Sequence, residues 1–320
     1  MLSLPDFKEK QVLFVQTERG IDNTLKFCND NIVFKKDGKI INRASCHRVF
    51  SVFVVGDITV TSYLMQKARD YGISFFFLKH NLETYSSILA QAEGNYLLRE
   101  KQYSMTTEKE LTIAKKIVEN KIHNQIRLLN SKKRIKDIHV AKRESSEKVM
   151  NTENAQSLLG IEGNATKEFF PVYFEEIGWY RRLPRVKPDE CNVLMDMGYS
   201  MLHNIVDSLL RLYGFDTFKG CYHRLFFQRR SLACDIMEPF RCIIDRKILT
   251  MFNLGQVDKK DFKVIKGAYS LSYKASPKYN RLLLETIMEY KEDIYGYIKG
   301  FYRYVMDDSV NPFPSFKIKR

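Results

Sequence analysis

The sequence predicts an α+β fold in which a small β-rich N-terminal domain precedes an all-helical C-terminal domain. Two patterns indicate this fold. Short β-branched and aromatic runs separated by turn residues fill the first 85 or so residues, and long segments with a helical period follow after about residue 90. A chain of 320 residues with 44% hydrophobic residues has room for about two domains. We place them at 1–88 and 89–307, and we expect the basic tail, 308–320, to be loosely ordered.

The predicted strands of the N-terminal domain are short. Asp37-Gly38, a strong hairpin signal, separates Asn31–Lys35 from Lys39–Asn42. Thr59–Tyr71 has the apolar spacing of a helix and is followed by a glycine that can end it. The other predicted strands are Gln11–Val15, Thr24–Cys28, Val49–Val55 and Ile73–Leu78.

Segments with a 3.6-residue period dominate the rest of the chain. Residues 130–155 interrupt them with a polar, strongly charged stretch, for which we expect a mobile connection or a solvated helix. The predicted helices are Asn95–Ser104, Glu108–Leu129, Glu162–Glu176, Asp189–Tyr213, Ser231–Asn253 and Lys278–Val305.

The chain carries a strong positive charge. Its 52 Lys and Arg residues exceed its 38 Asp and Glu residues, which gives a formal net charge of +14 and a pI of about 9.3. Such an excess attracts polyanions, nucleic acid ahead of an anionic membrane surface, so we expect nucleic acid as the partner. The alternative is a basic solvated surface without such a partner.

Several other classes of protein are disfavoured. A charged fraction of 28% with a mean hydropathy of −0.33 argues against a disordered chain, and no apolar run approaches the roughly 18 residues of a membrane span. No two of the six cysteines stand at CxxC spacing, and the first ten residues lack the apolar segment of a signal peptide. We therefore expect reduced thiols, a cytoplasmic protein and no membrane partner.

Two histidine–carboxylate pairs stand at helical spacing. Glu119 and His123 share one helix face, but a pair supplies few metal ligands and the helix also carries Lys121, so we expect a solvated face. His203 and Asp207 are the second pair, for which we expect a structural hydrogen bond or an exposed pair.

A third group offers more chemistry. A turn delivers His223, and Asp235 and Glu238 lie three residues apart on one face of the next predicted helix. Pro239 removes a backbone donor inside that helix, which costs about 3 kcal/mol in an ordinary helix interior, so we expect a kink there. Such a cluster of titratable groups beside a kink is typical of a functional site, with a packing bend as the alternative.

A carboxylate from elsewhere could complete a metal site. Glu162 stands between Gly160 and Gly163, which allow a tight turn, and a helix is predicted to begin there. The alternative is an acidic residue that only complements the positive end of that helix.

Five segments together resemble one protein family. The motifs are a long-helix signature ending in Lys-x-x-Asn-Gln, a Gly-x-Glu-Gly turn, a Gly-Tyr helix, a Gly-x-x-His turn and Ser-Leu-x-x-Asp-x-x-Glu-x-x-Arg. They lie at Ile113–Gln125, Leu159–Gly163, Asp196–Leu202, Gly214–His223 and Ser231–Arg241. The chain resembles the CRISPR-associated integrase and endonuclease family, the larger of the two general spacer-acquisition proteins, from about residue 10 to 305.

The resemblance implies a fold, an activity and partners. The family fold has an N-terminal β-sandwich and a helical catalytic domain. Glu162, His223 and Glu238 match the three ligands of a Mg²⁺ or Mn²⁺ ion, and Asp235 matches an acidic neighbour. The implied partners are double-stranded DNA with 3′ ends, CRISPR repeat DNA, a second copy of the chain in a homodimer, and a small ferredoxin-like CRISPR adaptation protein.

The implied reaction is metal-dependent DNA strand transfer, which joins short fragments (spacers) into the repeat array. The 3′-hydroxyl of a fragment attacks a phosphodiester at a repeat boundary, so one phosphodiester replaces another; with water as the nucleophile the same centre is a nuclease. A general nuclease for branched DNA in repair and a non-catalytic DNA scaffold are the rival interpretations.

Cations next to aromatic residues indicate where DNA strand ends could bind. Trp179 and Tyr180 precede one basic run. Other arginines stand just before Ser231 and ten residues after it. Rings stack on bases while cations meet phosphates; the alternative is that the aromatic residues belong to the core and the arginines are solvated. The candidates are Arg181, Arg182, Arg185, Lys187, Arg229, Arg230 and Arg241.

Overall fold

The N-terminal part of the chain forms two four-stranded sheets. The computed structural model describes residues 4–79, 84–90, 94–183, 186–223 and 229–319. One sheet has the strand order β1-β5-β7-β8 and is parallel except for β8; the other has the order β4-β3-β2-β6 and is antiparallel except for β6. The strands are β1 (Gln11–Gln16), β2 (Asn23–Cys28), β3 (Asn31–Lys36), β4 (Lys39–Ser45), β5 (Val49–Val55), β6 (Thr59–Val60), β7 (Ser74–Leu78) and β8 (Thr84–Ile88).

The parallel part of the first sheet is buried on both faces. Along β5, Val52 and Val54 pack into a core shared with the second sheet, whereas Phe53 and Val55 belong to the core of the helical region. Successive side chains of a strand point to opposite faces, so a strand covered on both sides needs a continuous apolar run. This sheet therefore joins the two regions of the chain.

Local signals explain most of the N-terminal elements. The turn between β3 and β4 has positive φ at Asp37 (45°) and Gly38 (74°), as a tight two-residue hairpin turn requires, and confirms the predicted hairpin. Helix α2 (Ser62–Asp70) begins after Thr61, whose hydroxyl accepts a 3.3 Å hydrogen bond from the N–H of Leu64. A short helix α1 (Leu4–Lys8) precedes β1. Strand β8 was not predicted, because its sequence TYSSI is mostly polar and half exposed.

Helices make up most of the remaining structure, which confirms the α+β fold class. Helix α7 is buried on nearly all sides and is the central core helix, against which α8, α9, α10 and α11 pack. None of the helices among the described residues is long and apolar enough to cross a membrane. The helices are α3 (Tyr96–Tyr103), α4 (Thr107–Ser131), α5 (Ile138–Met150), α6 (Ala155–Tyr173), α7 (Glu190–Tyr213), α8 (Ser231–Met237), α9 (Arg241–Asn253), α10 (Ser276–Glu289) and α11 (Lys291–Met306).

The prediction of an all-helical C-terminal region needs one correction. A hairpin of β9 (Phe262–Ile265) and β10 (Ala268–Leu271) lies between α9 and α10. Its turn has positive φ at Lys266 (51°) and Gly267 (79°), a signal of the same kind as the N-terminal hairpin turn. The charged stretch 130–155 contains α5, a helix with largely solvated side chains, which was one of the two expected structures.

The prediction that the C-terminal tail is loosely ordered is wrong. Phe316 and Ile318 are 4% and 2% exposed and belong to the main core. Asn120 exchanges two hydrogen bonds with the backbone of Phe316 (2.9 and 2.7 Å), and Asn124 accepts one from the N–H of Ile318 (2.9 Å). These side chains satisfy the extended backbone as a neighbouring strand would, so the tail is fixed along α4.

We expect Phe316→Ala to lower the free energy of unfolding by about 3–5 kcal/mol, because it leaves a cavity where the ring packs 4.6 Å from the ring of Phe240. Urea denaturation would measure the change. Val310→Ala is the control, since Val310 is 77% exposed and should change stability by less than about 0.5 kcal/mol. Equal losses for the two variants would show that the tail is not packed.

Candidate active site

Two carboxylates from separate helices converge on one ammonium group. Glu162 lies in the middle of α6, and Glu238 opens a 3₁₀ turn, Glu238–Phe240, that separates α8 from α9. The Nζ atom of Lys121, on α4, donates to Oε2 of Glu238 at 2.7 Å and also to Oε1 of Glu162. The side chains of Lys121 and Glu238 are only 8% and 4% exposed, so this cluster is a buried cation site.

The charges of the cluster stabilise one another. Burial acts to lower the pKa of Lys121, but the negative charges of Glu238 and Glu162 outweigh it and raise that pKa above its ordinary value. Burial acts to raise the pKa of Glu238, but the positive charges of Arg241, 2.9 Å from its Oε1, and of Lys121 hold that pKa well below its ordinary range. The carboxylate of Glu238 and the ammonium of Lys121 are therefore both charged at neutral pH.

The local sequence places Glu238. Pro239 has no N–H, so it cannot continue the hydrogen-bond pattern of α8, and the chain forms a 3₁₀ turn before α9 begins at Arg241. The 3₁₀ turn stands at the position for which the sequence predicts a kink. The prediction that a helix begins at Glu162 after a tight turn is wrong. Helix α6 begins at Ala155 after the cap Asn154, so Glu162 lies inside the helix. Gly160 and Gly163 also lie inside it without positive φ, because glycine is tolerated in a helix at a modest cost.

Asp235 anchors the turn that carries His223. Its Oδ2 accepts hydrogen bonds from the N–H groups of Cys221 (2.7 Å) and Tyr222 (2.9 Å), and its Oδ1 accepts one from the N–H of His223 (2.9 Å). A Cβ atom at Gly220 would lie 2.7 Å from Oδ2, so only glycine allows this close approach. The whole turn is thus built around one buried carboxylate.

The same carboxylate orients the imidazole of His223. Nδ1 of His223 lies 2.6 Å from Oδ1 of Asp235. An ionised carboxylate can only accept, so Nδ1 carries the proton, and Nε2 keeps its lone pair when the ring is neutral. A carboxylate on the far nitrogen of a histidine is the usual support for a metal-binding imidazole.

A cavity of about 140 Å³ is lined by the two carboxylates and also by Tyr199 and Asp245. The hydroxyl of Tyr199 donates to Oδ1 of Asp245. The guanidinium groups of Arg182 and Arg241 lie 5.5 and 4.7 Å from the centre of the Tyr199 ring, within cation–π distance. Both arginines therefore border the same small space.

We expect Asp245→Asn to stabilise the protein at pH 8. Burial raises the pKa of Asp245 to about 6, although the hydrogen bond from Tyr199 opposes the rise. The folded state thus binds this proton more tightly than the unfolded chain, and stability falls as the pH rises from about 4 to about 6. A neutral amide avoids that loss and still accepts the hydrogen bond from Tyr199. We therefore expect the free energy of unfolding to rise by up to about 3 kcal/mol at pH 8 and by less at pH 5. Urea denaturation at pH 8 and pH 5 measures the change in the free energy of unfolding, and Asp57→Asn, at an exposed position, is the control. An equal gain from Asp245→Asn at the two pH values would contradict the prediction.

The three predicted ligands stand in two neighbouring subsets. Glu162 and Glu238 share the Lys121 ammonium, whereas His223 binds Asp235 and lies close enough to Glu238 to help lower its pKa. Among the described ranges, no three His, Cys, Asp or Glu side chains stand in an arrangement that could hold a metal ion. The donor set itself fits Mg²⁺ or Mn²⁺: two carboxylates already meet at one cation, and an oriented imidazole is their neighbour.

The two other histidine–carboxylate pairs have structural partners. Helix α5 covers the first pair, Glu119 and His123. The hydroxyl of Ser146, on α5, donates to Glu119, and Nε2 of His123 lies 3.1 Å from the same Ser146 oxygen. The prediction of a solvated face is therefore wrong. In the second pair, Asp207 is fully buried and binds two arginines, Arg211 and Arg230, rather than the histidine.

Trp179 belongs to the core, while Tyr180 does not. The Trp179 ring packs 5.2 and 5.0 Å from the rings of Phe170 and Phe174, and its N–H donates to Asp189. Tyr180 is 69% exposed. Only Tyr180 of this pair is thus available to stack on a base.

The DNA-binding candidates differ in their surroundings. Arg181 and Arg229 are exposed, whereas Arg185 lies outside the described residues. Four others have acidic partners at the site or beside it: Arg182 and Lys187 bind Asp196, Arg230 binds Asp207, and Arg241 binds Glu238. A groove of about 620 Å³, lined in part by Arg182, Arg230 and Arg241, lies next to the small cavity.

Lys121, Tyr199 and Asp245 are members of the site that were not predicted from the sequence. The sequence interpretation places Lys121 on a solvated face, yet it follows Ile117 by four residues and Val118 by three, which places it on the apolar stripe of α4. A lysine on the buried side of a helix signals a buried acidic partner, because an unpaired buried charge is too costly. Tyr199 and Asp245 carry no comparable local signal.

The fold and the site define a class of proteins in which a two-sheet N-terminal region precedes a helical region with a carboxylate–histidine cluster. The chain belongs to the family described as CRISPR associated protein Cas1, whose family model matches residues 18–284. It is 26% identical over 304 residues to CRISPR-associated endonuclease Cas1 1 of Thermodesulfovibrio yellowstonii, covering 90% of this chain and 95% of that protein. It is 26% identical over 271 residues to CRISPR-associated endonuclease Cas1 1 of Moorella thermoacetica, covering 78% of each. The family prediction is confirmed.

Solved structures share the fold. A Cas1 protein from Thermotoga maritima superposes with a TM-score of 0.82 at 20% identity, covering 97% of this chain and 100% of that one. A casposase bound to its integration product has a TM-score of 0.82 at 19% identity, covering 97% of this chain and 95% of that one. A Cas6-RT-Cas1–Cas2 complex has a TM-score of 0.77 at 24% identity, covering 98% of this chain and 36% of that one. The predicted N-terminal sheets followed by a helical region are thus the fold of Cas1 proteins.

Proposed function

We propose that this protein is a metal-dependent DNA integrase and endonuclease of CRISPR adaptation, acting in the cytoplasm. It would join the 3′-hydroxyl ends of short DNA fragments to the repeat array by transesterification. The observation that carries the proposal is the convergence of Glu162 and Glu238 on one cation beside the oriented imidazole of His223. The two relatives described above are named endonucleases, and the casposase of similar fold was solved with an integration product, which supports DNA chemistry of this kind.

A divalent cation is part of this proposal. Glu162, Glu238 and His223 would hold Mg²⁺ or Mn²⁺, with Asp235 keeping the imidazole in place through Nδ1. When bound, the ion neutralises charge that develops on the phosphodiester oxygens and orients the attacking oxygen. Carboxylate oxygens suit both ions, and the imidazole favours Mn²⁺.

The chemistry is balanced without an energy-rich cofactor. The 3′-oxygen of the fragment forms a new bond to phosphorus, and the bond from that phosphorus to the 3′-oxygen of the repeat strand breaks. The proton of the attacking hydroxyl is lost, and the released 3′-oxygen gains one. With water as the nucleophile, the same exchange is hydrolysis, so one centre accounts for both integrase and endonuclease activity.

The protein around the cluster is suited to a polyanion. Arg182 and Arg241 line both the small cavity and the adjoining groove, which would receive the strand at the reacting phosphate. Their charges are partly offset by Asp196 and Glu238, so they are held in place rather than free to sample solvent. The net charge of +14 would hold the longer DNA.

One solved complex of similar fold contains Cas1 together with Cas2 by its description. We propose that this chain forms a homodimer and assembles with a small ferredoxin-like adaptation protein of that kind, on fragment DNA with 3′ ends and on repeat DNA.

The proposal is tested with the protein, its small partner, a short duplex with 3′-hydroxyl ends and a supercoiled plasmid bearing the repeat, in Mn²⁺ or Mg²⁺. Covalent joining of labelled duplex to plasmid, abolished by EDTA and by a 3′-deoxy end, is the expected result. Cleavage of branched DNA without joining would favour a repair nuclease instead, and DNA binding without either reaction would favour a scaffold.

A further inference from the structure

We propose that Lys121 is a resident counter-cation, which holds Glu162 and Glu238 close together before the metal arrives and competes with the metal for them. This inference rests on the proposed metal-dependent function. It makes Lys121 a positioning residue, because it acts on the reaction through the two carboxylates and not on the DNA.

The contacts show how the pair is held. Lys121 binds one oxygen of each glutamate, while the other oxygen of Glu238 binds Arg241 at 2.9 Å and Oε1 of Glu162 also accepts from Thr166 at 3.3 Å. Without the ammonium, two carboxylates with side chains 18% and 4% exposed would face each other across the gap. Like charges in a poorly solvated site repel strongly, so the metal-free protein is less stable without the ammonium and gains more from a bound divalent ion.

The charges of the four side chains balance. Two carboxylates and the two cations Lys121 and Arg241 sum to zero, so the cluster is neutral when no metal is bound. A divalent ion has twice the charge of an ammonium and attracts the same oxygens more strongly, so it can displace Lys121. The displacement reduces the net affinity for the metal, since the contacts of the ammonium are lost as those of the metal form.

The structure provides space for the displaced group. The cavity of about 140 Å³ is lined by Lys121 itself and continues past Gln125 and Thr166. One water molecule needs roughly 10–15 Å³ of such a cavity, so there is room for an ammonium on a flexible four-carbon chain. Lys121 can therefore leave the carboxylates by rotation of its side chain, while α4 stays where Asn120 and Asn124 fix it to the tail.

The test is Lys121→Met, which keeps most of the side-chain volume and removes the charge. Mn²⁺ binding is measured by calorimetry and by electron paramagnetic resonance of the free ion, and thermal unfolding is followed with and without Mn²⁺. We expect the Kd for Mn²⁺ to fall at least tenfold, the metal-free protein to melt at a lower temperature, and the rise in Tm caused by Mn²⁺ to be larger than in the wild type. Lys116→Met, which removes the same charge elsewhere on α4, is the matched control and should leave all three values unchanged.

The outcomes separate this inference from the proposed function. One set of results would refute the counter-cation and keep the metal site. In that case the wild type binds Mn²⁺ and Glu162→Gln abolishes the binding, but Lys121→Met leaves the Kd for Mn²⁺ unchanged or raises it. If Glu162→Gln does not alter Mn²⁺ binding, the proposed site fails and the inference fails with it. Should Lys121→Met fold only when Mn²⁺ is present, the metal replaces the ammonium as the inference requires. Lys121→Arg then serves as the second variant, because it keeps a positive charge and should fold without metal.

Discussion

Glu162→Gln is expected to abolish strand transfer and leave DNA binding intact. The amide keeps the size of the side chain but removes the negative charge that attracts a divalent ion, and the loss of several kcal/mol of charge stabilisation corresponds to a fall of at least about 10³-fold in rate. The initial rate of duplex-to-plasmid joining measures the first effect. Fluorescence anisotropy with labelled DNA in EDTA measures the second, because it reports binding without the metal.

Glu168→Gln is the matched control for this prediction. Glu168 lies on the same helix as Glu162 and is exposed, so the same change in charge should leave joining within about twofold. Joining at the wild-type rate by Glu162→Gln would contradict the proposed site. If Glu162→Gln loses joining because it is unfolded, as thermal unfolding would show, then Glu238→Gln and His223→Ala test the proposed site in its place.

Asp235→Ala is expected to damage both stability and activity. Three backbone N–H groups and the imidazole of His223 lose their acceptor, so we expect the free energy of unfolding to fall by about 3–5 kcal/mol. Joining should fall at least about 100-fold, because the imidazole loses the carboxylate that orients it. Urea denaturation and initial rates of joining measure the two effects.

Asp235→Asn refines the same prediction. The amide oxygen can still accept from part of the turn, but the amide NH₂ replaces the second acceptor with a donor, so stability should lie between those of the wild type and Asp235→Ala. Wild-type stability of Asp235→Ala would mean that the turn carrying His223 does not depend on this carboxylate.

The parts of the fold that sequence analysis predicted are those governed by neighbouring residues. The hairpin at Asp37-Gly38 and the break at Pro239 depend on backbone preferences of the residues themselves. The tail could not be predicted in this way. Its order comes from Asn120 and Asn124, almost 200 residues away in the chain, and from the core position of Phe316.

The site shows the same limit. The sequence places Asp235 and Glu238 three residues apart, but they serve different partners, since one supports the His223 turn and the other faces Lys121. The link from Lys121 to both Glu162 and Glu238 depends on how three helical segments cross, which no local pattern specifies. The ligand set came from the family resemblance, and its role in metal binding stays a prediction.

The sheet that is covered on both faces has a practical consequence. Phe53 and Phe76 are fully buried against the helical region, so cutting the chain near residue 88 would expose large aromatic surfaces on one fragment and an open cavity on the other. Neither piece is expected to be soluble when expressed alone, and limited proteolysis should not release a stable catalytic fragment. Biochemical dissection of this protein should therefore rely on point substitutions in the intact polypeptide.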